Sequence, residues 1–182
     1  MGSVRARRVC PQVAQWVVDL GHASAQLDIE IVDLQKWPLP MDDEPQIPAT
    51  GIYSEPHTRA WSQKVRDVDA VIFVTPQYNW GYPAPLKNAI DHLYREWRDK
   101  PAMLVTYGGH GGTKCAQQLR QVLGAVKARL ARARAARWRR PCRRGARPAT
   151  RFRSARGRRA RGLHAAGRPS GRTCPLSKAS TC

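Results

Sequence analysis

The sequence predicts an α/β protein with a parallel sheet, followed by a basic segment that has no core of its own. Three observations predict it. Ala70-Val71-Ile72-Phe73-Val74-Thr75 and Ala102-Met103-Leu104-Val105-Thr106 are apolar without alternation, as strands buried on both faces require. Stretches with apolar residues at helical spacing alternate with these runs, the order that gives a parallel sheet with helices on its faces. The 182-residue chain also divides sharply in charge: residues 1–123 contain all 13 acidic residues and 13 of the 32 basic ones, whereas residues 124–182 hold the other 19 bases and no acid. The net charge of +19 therefore describes the tail, and the body is neutral.

Each element follows from its pattern. Residues 8–20 place Val9, Val13, Trp16, Val17 and Leu20 on one face of a helix, with Gly21 as its stop. Leu27 to Leu34 reads as a strand with Ile29 and Ile31 inward. Trp37 to Pro56 carries five prolines and the acidic cluster Asp42-Asp43-Glu44, the composition of a long surface loop. A helix from about Thr58 to Val68 leads into the first apolar run. Pro76 to Pro85 is a loop, and Leu86, Ala89, Ile90, Leu93 and Trp97 mark a helix that Asp99-Lys100-Pro101 breaks. The second apolar run ends in Tyr107-Gly108-Gly109-His110-Gly111-Gly112, and a helix with Ala116, Leu119, Val122 and Leu123 inward follows.

Several function classes are excluded early. No run is long and apolar enough to span a bilayer, and the N-terminus lacks the apolar stretch of a secretory signal. The five cysteines (Cys10, Cys115, Cys142, Cys174, Cys182) form no CxxC pair, and an odd count with scattered spacing argues against both a disulfide framework and a zinc site. The expected setting is soluble, reducing and cytoplasmic.

Three loops carry candidate chemistry, each where a strand gives way to a helix. In open parallel sheets ligands bind beyond the carboxyl ends of the strands. Gly2-Ser3-Val4-Arg5-Ala6-Arg7-Arg8 precedes the first helix and brings backbone N–H groups, a hydroxyl and a guanidinium to one place, which suits a phosphate; from this loop alone an N-cap with solvated arginines is the commoner arrangement. Thr75 to Pro85 is stiffened by prolines and displays Tyr78, Trp80 and Tyr82 beside Gln77 and Asn79, a surface on which a flat heterocycle could stack, or which could simply cover the sheet end. Gly108 to Gly112, with four glycines in five positions, allows close backbone approach, although such turns are common without a ligand. His110 is given no proton-transfer role.

Taken together, Gly2-Ser-x-Arg with Val13-Ala14-x-Trp16-Val17, then Thr75-Pro-Gln-Tyr-Asn-Trp-Gly-Tyr-Pro-Ala-Pro-Leu-Lys-Asn-Ala-Ile-Asp91, then Tyr107-Gly-Gly-His-Gly-Gly112 resemble the NADPH-dependent FMN reductase family, the flavodoxin-like group that includes quinone, azo and chromate reductases. The middle motif is long and specific, and the match covers about residues 2–123. The resemblance implies a flavodoxin-like three-layer fold with a parallel sheet in the order 2-1-3-4-5 and FMN at its carboxyl edge. It implies that Ser3 and Arg5 hold the FMN phosphate, that Pro76, Gln77, Tyr78 and Asn79 line the ring, and that Gly108, Gly109, His110 and Gly111 pass along its other edge. It further implies NAD(P)H as hydride donor, a quinone or similar small molecule as acceptor, and a homo-oligomer that completes the site. The flavin does the chemistry, so no catalytic protein residue is expected and none is assigned; no metal is assigned.

Both ends depart from the family. Only Met1 precedes the Gly-Ser-x-Arg loop, so the first, central strand is expected to be missing, a loss set against a folding stability of about 5–15 kcal/mol that puts the activity of this chain in question. After Leu123 the fifth strand is expected to be missing or replaced: residues 124–182 contain 17 Arg and 13 Ala but only five Leu, Ile, Val or Phe, so this tail is expected to be disordered beyond a helical continuation to about Arg140. The expected organisation is an incomplete reductase-like domain over 1–123 and a low-complexity tail over 124–182. The abrupt change near Gly124 fits out-of-frame translation of a GC-rich message better than a selected arm. The alternative function is that of a nucleic-acid-associated protein acting through this polybasic tail.

Overall fold

The computed structural model of the chain describes residues 1–131. The expected helical continuation does not form over the described part of the tail: the last described helix ends at Ala125, Lys127 turns the backbone into the left-handed region at φ 62°, and Arg129–Leu130 pair as a strand. From residue 132 on, the expected disorder and the nucleic-acid reading lie outside the described residues. Four helices, α1 (Cys10–Ala25), α2 (Pro56–Arg66), α3 (Ala84–Asp91) and α4 (Thr113–Ala125), accompany three strands, β1 (Val71–Pro76), β2 (Pro101–Tyr107) and β3 (Arg129–Leu130). The strands form one parallel sheet in the order β1-β2-β3, with Val71 opposite Ala102 and Pro76 opposite Tyr107. β3 is a two-residue stub that pairs with Pro101 and Ala102, so the fifth strand of the expected sheet is replaced by its first contact only.

The two apolar runs are strands for the expected reason. Phe73 packs into a cluster with Trp61 and Val65 of α2, Leu86, Ala89 and Ile90 of α3, and Leu119 and Leu123 of α4. Its neighbour Val74 packs into a second cluster with Cys10, Val13, Ala14 and Val17 of α1. Adjacent residues of a strand point to opposite faces, so β1 needs apolar side chains at consecutive positions.

Three expectations are corrected. Gly21 does not stop α1; the helix runs on to Ala25 and ends on Gln26 in the left-handed region, at φ 50°. Gly21 instead admits Ile29, because a Cβ on it would lie 2.4 Å from Ile29 Cδ1. The helix over 86–97 is split, with α3 ending at Asp91 and a 3-10 turn at Arg95–Trp97. Two indoles account for the break: Trp61 Nε1 donates to Ala89 O at 2.7 Å and Trp97 Nε1 to Ile90 O at 2.9 Å. Ala89 O is thereby satisfied from outside the helix, and Ile90 O takes the Trp97 indole beside the Leu93 N–H at 3.2 Å, the bond of a tighter turn.

The third correction is that Leu27 to Leu34 forms no strand, and Leu27 and Ile31 are exposed at 48% and 37%. A strand needs a neighbour, and among the described residues only Met1 bonds to this segment's backbone in a sheet-like way. The Met1 amino group donates to Val32 O at 2.6 Å and Leu34 N–H donates to Met1 O at 3.4 Å, the pattern of a parallel pair. On the other side Gly2 N–H donates to Val74 O at 2.9 Å. Below these two residues a groove of about 530 Å³ separates the segment from β1, lined by Val17, Ile31, Val65 and Ile72 among others. Among the described residues β1 pairs only with β2.

Candidate functional site

The three loops singled out in the sequence meet at one end of the sheet, beyond the carboxyl ends of β1 and β2. The first is held on both sides. Ser3 is fully buried and its hydroxyl lies 2.8 Å from the Tyr78 hydroxyl. The exposed Arg5 places its guanidinium carbon 3.9 Å from the centre of the Tyr78 ring, a cation–π contact. Cys10, at the start of α1, is anchored through Sγ to Val74 O at 3.3 Å. Between Val4 and Arg7 the loop amides donate to no backbone carbonyl of the described residues, and Arg8 N–H closes a turn on Arg5 O at 3.2 Å.

Arg8 completes this corner. Its Nη2 donates to Asp33 Oδ2 at 2.5 Å, with the two side chains only 8% and 11% exposed, while its Nη1 is buried without a hydrogen-bond partner. A buried guanidinium nitrogen that lacks an acceptor carries a large desolvation cost. An anionic oxygen at this point would remove it. Arg8 and Tyr78 both act electrostatically on the Tyr107 hydroxyl, whose pKa burial pushes well above the ordinary tyrosine value. Ser3 and Arg5 thus meet on Tyr78, and Arg8 of the same loop is held by Asp33.

The second loop turns tightly. Tyr78 and Gly81 exchange two backbone hydrogen bonds of 2.9 Å, and Asn79 and Trp80 between them have φ of 47° and 71°, the geometry of a type I′ turn. This turn raises Asn79 and Trp80 to the surface, where Trp80 is 59% exposed and Lys114 Nζ lies 4.6 Å from its ring centre. Pro76 is buried, and its carbonyl accepts from Thr75 Oγ1 at 3.3 Å and Cys115 Sγ at 3.6 Å.

Gln77 joins this loop to the third. Its Nε2 donates to Gly109 O at 3.1 Å, and its Oε1 accepts from Lys114 N at 3.1 Å and Cys115 N at 3.2 Å. α4 has no side-chain cap of its own, so Gln77 caps it from 36 or more residues away in the chain. Gly108 has φ 121° and ψ −158°, a conformation in effect confined to glycine. His110 sits at φ 56° with its side chain exposed, and its carbonyl accepts from Thr113 Oγ1 at 3.2 Å. Gly109 and Gly111 have open space where a Cβ would be.

The ten residues named from the sequence thus fall in three loops at one sheet edge. Ser3, Arg5 and Tyr78 touch one another, and Gln77 touches Gly109. Sequence reasoning passed over Arg8 as one arginine among three and did not find the Trp80–Lys114 pair, because no local signal marks a contact 34 residues apart. Neither buried thiol suits nucleophilic chemistry: burial pushes Cys115 up to about 11, and Cys10 is bonded to the backbone. The donor set at the first loop fits a phosphate monoester.

Comparison with known proteins agrees. The family model described as NADPH-dependent FMN reductase matches residues 1–136. An NAD(P)H-dependent FMN reductase of Schizosaccharomyces pombe is 55% identical over 133 residues, which cover 72% of this chain and 66% of that one. One from Saccharomyces cerevisiae is 52% identical over 138 residues, with 70% and 72% covered, and a quinone reductase of Escherichia coli is 32% identical over 131 residues, with 68% and 66% covered. The match therefore spans about two thirds of these relatives' length. Among solved structures, the flavoenzyme NAD(P)H:acceptor oxidoreductase FerB of Paracoccus denitrificans superimposes with a TM-score of 0.58 at 23% identity over 71% of each chain. That likeness establishes the flavodoxin-like fold.

Proposed function

Since the chain belongs to the NADPH-dependent FMN reductase family, we propose that it is an FMN-dependent oxidoreductase that takes electrons from NAD(P)H and delivers them to a quinone or a similar small acceptor. The observation that carries this reading is the buried Arg8 Nη1, without a hydrogen-bond partner among the described residues, in the same loop as Ser3, whose hydroxyl pairs with that of Tyr78. It marks a place where one anionic group is wanted, at the sheet edge where the family holds its flavin.

Ser3, Arg5, Arg8 and the amides of the first loop would hold the phosphate of FMN. Tyr78 and Asn79 would flank its ring on one side and Gly108 to Gly111 on the other. Gln77 acts by fixing both walls relative to each other, through its bonds to Gly109 and to the start of α4. Bound there, the flavin supplies two-electron redox chemistry, and the protein's part is to orient it and to leave one ring face open. Trp80 and Lys114 stand at the rim, where an aromatic face and a cation suit a dinucleotide that is both flat and anionic. A second copy of the chain would close the site, and the cytoplasm is the expected compartment. Among the described residues no helix is long and apolar enough to cross a membrane.

The test is FMN binding by the 182-residue chain, followed as quenching of free flavin fluorescence on titration. Saturable one-to-one binding, with bleaching of the bound flavin by NAD(P)H and recovery on adding a quinone, is the expected result. Absence of saturation with a folded protein would sink the reading. The nucleic-acid alternative predicts instead salt-dependent retention on nucleic acid, lost when residues 124–182 are removed.

A further inference from the structure

Away from the sheet edge, three side chains from distant parts of the sequence converge on one point: Asp43 from the long proline-rich loop, His57 from the first turn of α2, and His92 just past the end of α3. One ligand atom from each lies within 4.8 Å of the others. Two of these groups are incompletely satisfied. His57 Nε2 lies 2.8 Å from Asp43 Oδ2, but without the alignment of a hydrogen bond, and both His57 Nε2 and Asp43 Oδ1 are buried atoms with no hydrogen-bond partner. Among the described residues the only other such side-chain atom is Arg8 Nη1. A carboxylate oxygen and an imidazole nitrogen facing each other out of line are what a shared third partner would explain.

The surroundings hold these groups in place. His92 is buried, with Nε2 2.7 Å from Pro40 O and Nδ1 3.0 Å from Thr58 Oγ1. Pro40 O can only accept, so His92 Nε2 carries the ring proton and Nδ1 is the nitrogen that would ligate. It would exchange the Thr58 hydroxyl for the ion while Nε2 keeps its carbonyl partner, the arrangement by which proteins orient metal-binding histidines. Asp43 is steadied by its neighbour Glu44, whose carboxylate accepts from Ser54 N at 2.8 Å and Glu55 N at 3.0 Å. That contact ties the loop to the start of α2, one turn from His57.

We propose that Asp43, His57 and His92 form a site for one divalent first-row cation of the zinc class, with a water as fourth ligand. Two imidazoles and one carboxylate suit such a cation in tetrahedral geometry. The absence of paired cysteines argues only against a cysteine-built site, and it has no bearing on this one. Bound there, the ion would clip the long loop to α2 and to the end of α3.

The experiment is titration of the full chain with Co²⁺, whose visible d–d bands report tetrahedral coordination, with Zn²⁺ then added to displace it. The variants Asp43→Asn and His57→Gln each remove one ligand from the surface side of the cluster, and circular dichroism checks that both remain folded. One equivalent bound with tetrahedral bands, no thiolate-to-cobalt charge-transfer absorption, and an affinity weaker by at least about tenfold in each variant is the expected result. No binding, a thiolate charge-transfer band, or unchanged affinity in both variants would overturn the proposal. None of these readouts depends on flavin or on activity.

Discussion

Arg8 and Asp33 form an ion pair of 2.5 Å that is almost wholly buried, and only one of the two terminal guanidinium nitrogens is used in it. Asp33 lies at the end of the segment that fails to become a strand, so this pair ties that segment to the loop before α1. The pair has two roles that separate by mutation. Arg8→Ala removes both the tie and the free donor; it is expected to weaken FMN binding at least about tenfold, the value of one charge-assisted hydrogen bond. Asp33→Ala leaves a buried charge without its partner and should cost about 3–5 kcal/mol of stability. It keeps the donors, however, so FMN affinity measured well below the unfolding temperature should change little. Equal loss of affinity in both variants would show that the pair only supports the loop.

Gln77 gives a second, distinct prediction. Its amide satisfies two N–H groups at the start of α4 and one carbonyl in the glycine loop. Gln77→Ala removes a helix cap and is expected to cost about 1–2 kcal/mol, read as a lower unfolding midpoint. Gln77→Glu keeps the acceptor for α4 and loses the donor to Gly109, so it should retain most of the stability while changing the visible spectrum of bound flavin. A Gln77→Ala protein as stable as the parent would remove the capping role.

How much of this was legible in the sequence depends on whether a residue's partner is near it in the chain. β1 and β2 were legible because burial on both faces demands an apolar residue at every position, and Phe73 and Val74 show that demand directly. Leu27 to Leu34 carries an equally good strand pattern, yet pairing is a property of two segments, and among the described residues only Met1 pairs with it in a sheet-like way. The break after Asp91 was hidden for a related reason: the carbonyls of Ala89 and Ile90 are taken by indoles whose position no helical periodicity encodes. The three loops were visible through their glycines, prolines and aromatics. That Gln77 clamps two loops, and that Arg8 rather than its neighbours is buried, depends on partners 25 or more residues away.

The glycine loop separates fold from ligand at two positions. A Cβ on Gly112 would lie 2.8 Å from Thr106 Cβ and 2.8 Å from Tyr107 N, at a φ of 74°. Gly112→Ala therefore combines left-handed strain of about 1–2 kcal/mol with overpacking of about 1–3 kcal/mol against backbone, and should unfold at a markedly lower temperature. Gly109 has nothing within 4 Å of that point. Gly109→Ala should leave the unfolding midpoint of the free protein unchanged. A loss of FMN affinity in that variant alone would place the flavin against this loop, and unchanged affinity would place it elsewhere.

Glu96 makes stability depend on pH in a defined direction. Its side chain is fully buried in the 3-10 turn after α3, where Tyr53 Oη at 2.8 Å, Ser62 Oγ at 2.7 Å and Arg66 Nη2 at 2.7 Å all donate to it. Burial by itself raises the pKa of this carboxyl, but the hydrogen bonds from Ser62, Arg66 and Tyr53 outweigh it and hold the group below its ordinary value of 4.5. A carboxylate whose pKa is lower in the folded than in the unfolded chain binds fewer protons when folded. Its contribution is therefore fully present above the unfolded value and is lost as pH falls through the folded one. The unfolding midpoint should drop as the solution is taken from about pH 5 downward. Glu96→Gln should lower the midpoint at neutral pH, because Gln cannot serve Arg66 as a counter-charge, and should flatten the acid slope. A variant that keeps the parent's acid slope would assign that slope to other carboxylates, with Asp33 beside Arg8 the next to examine.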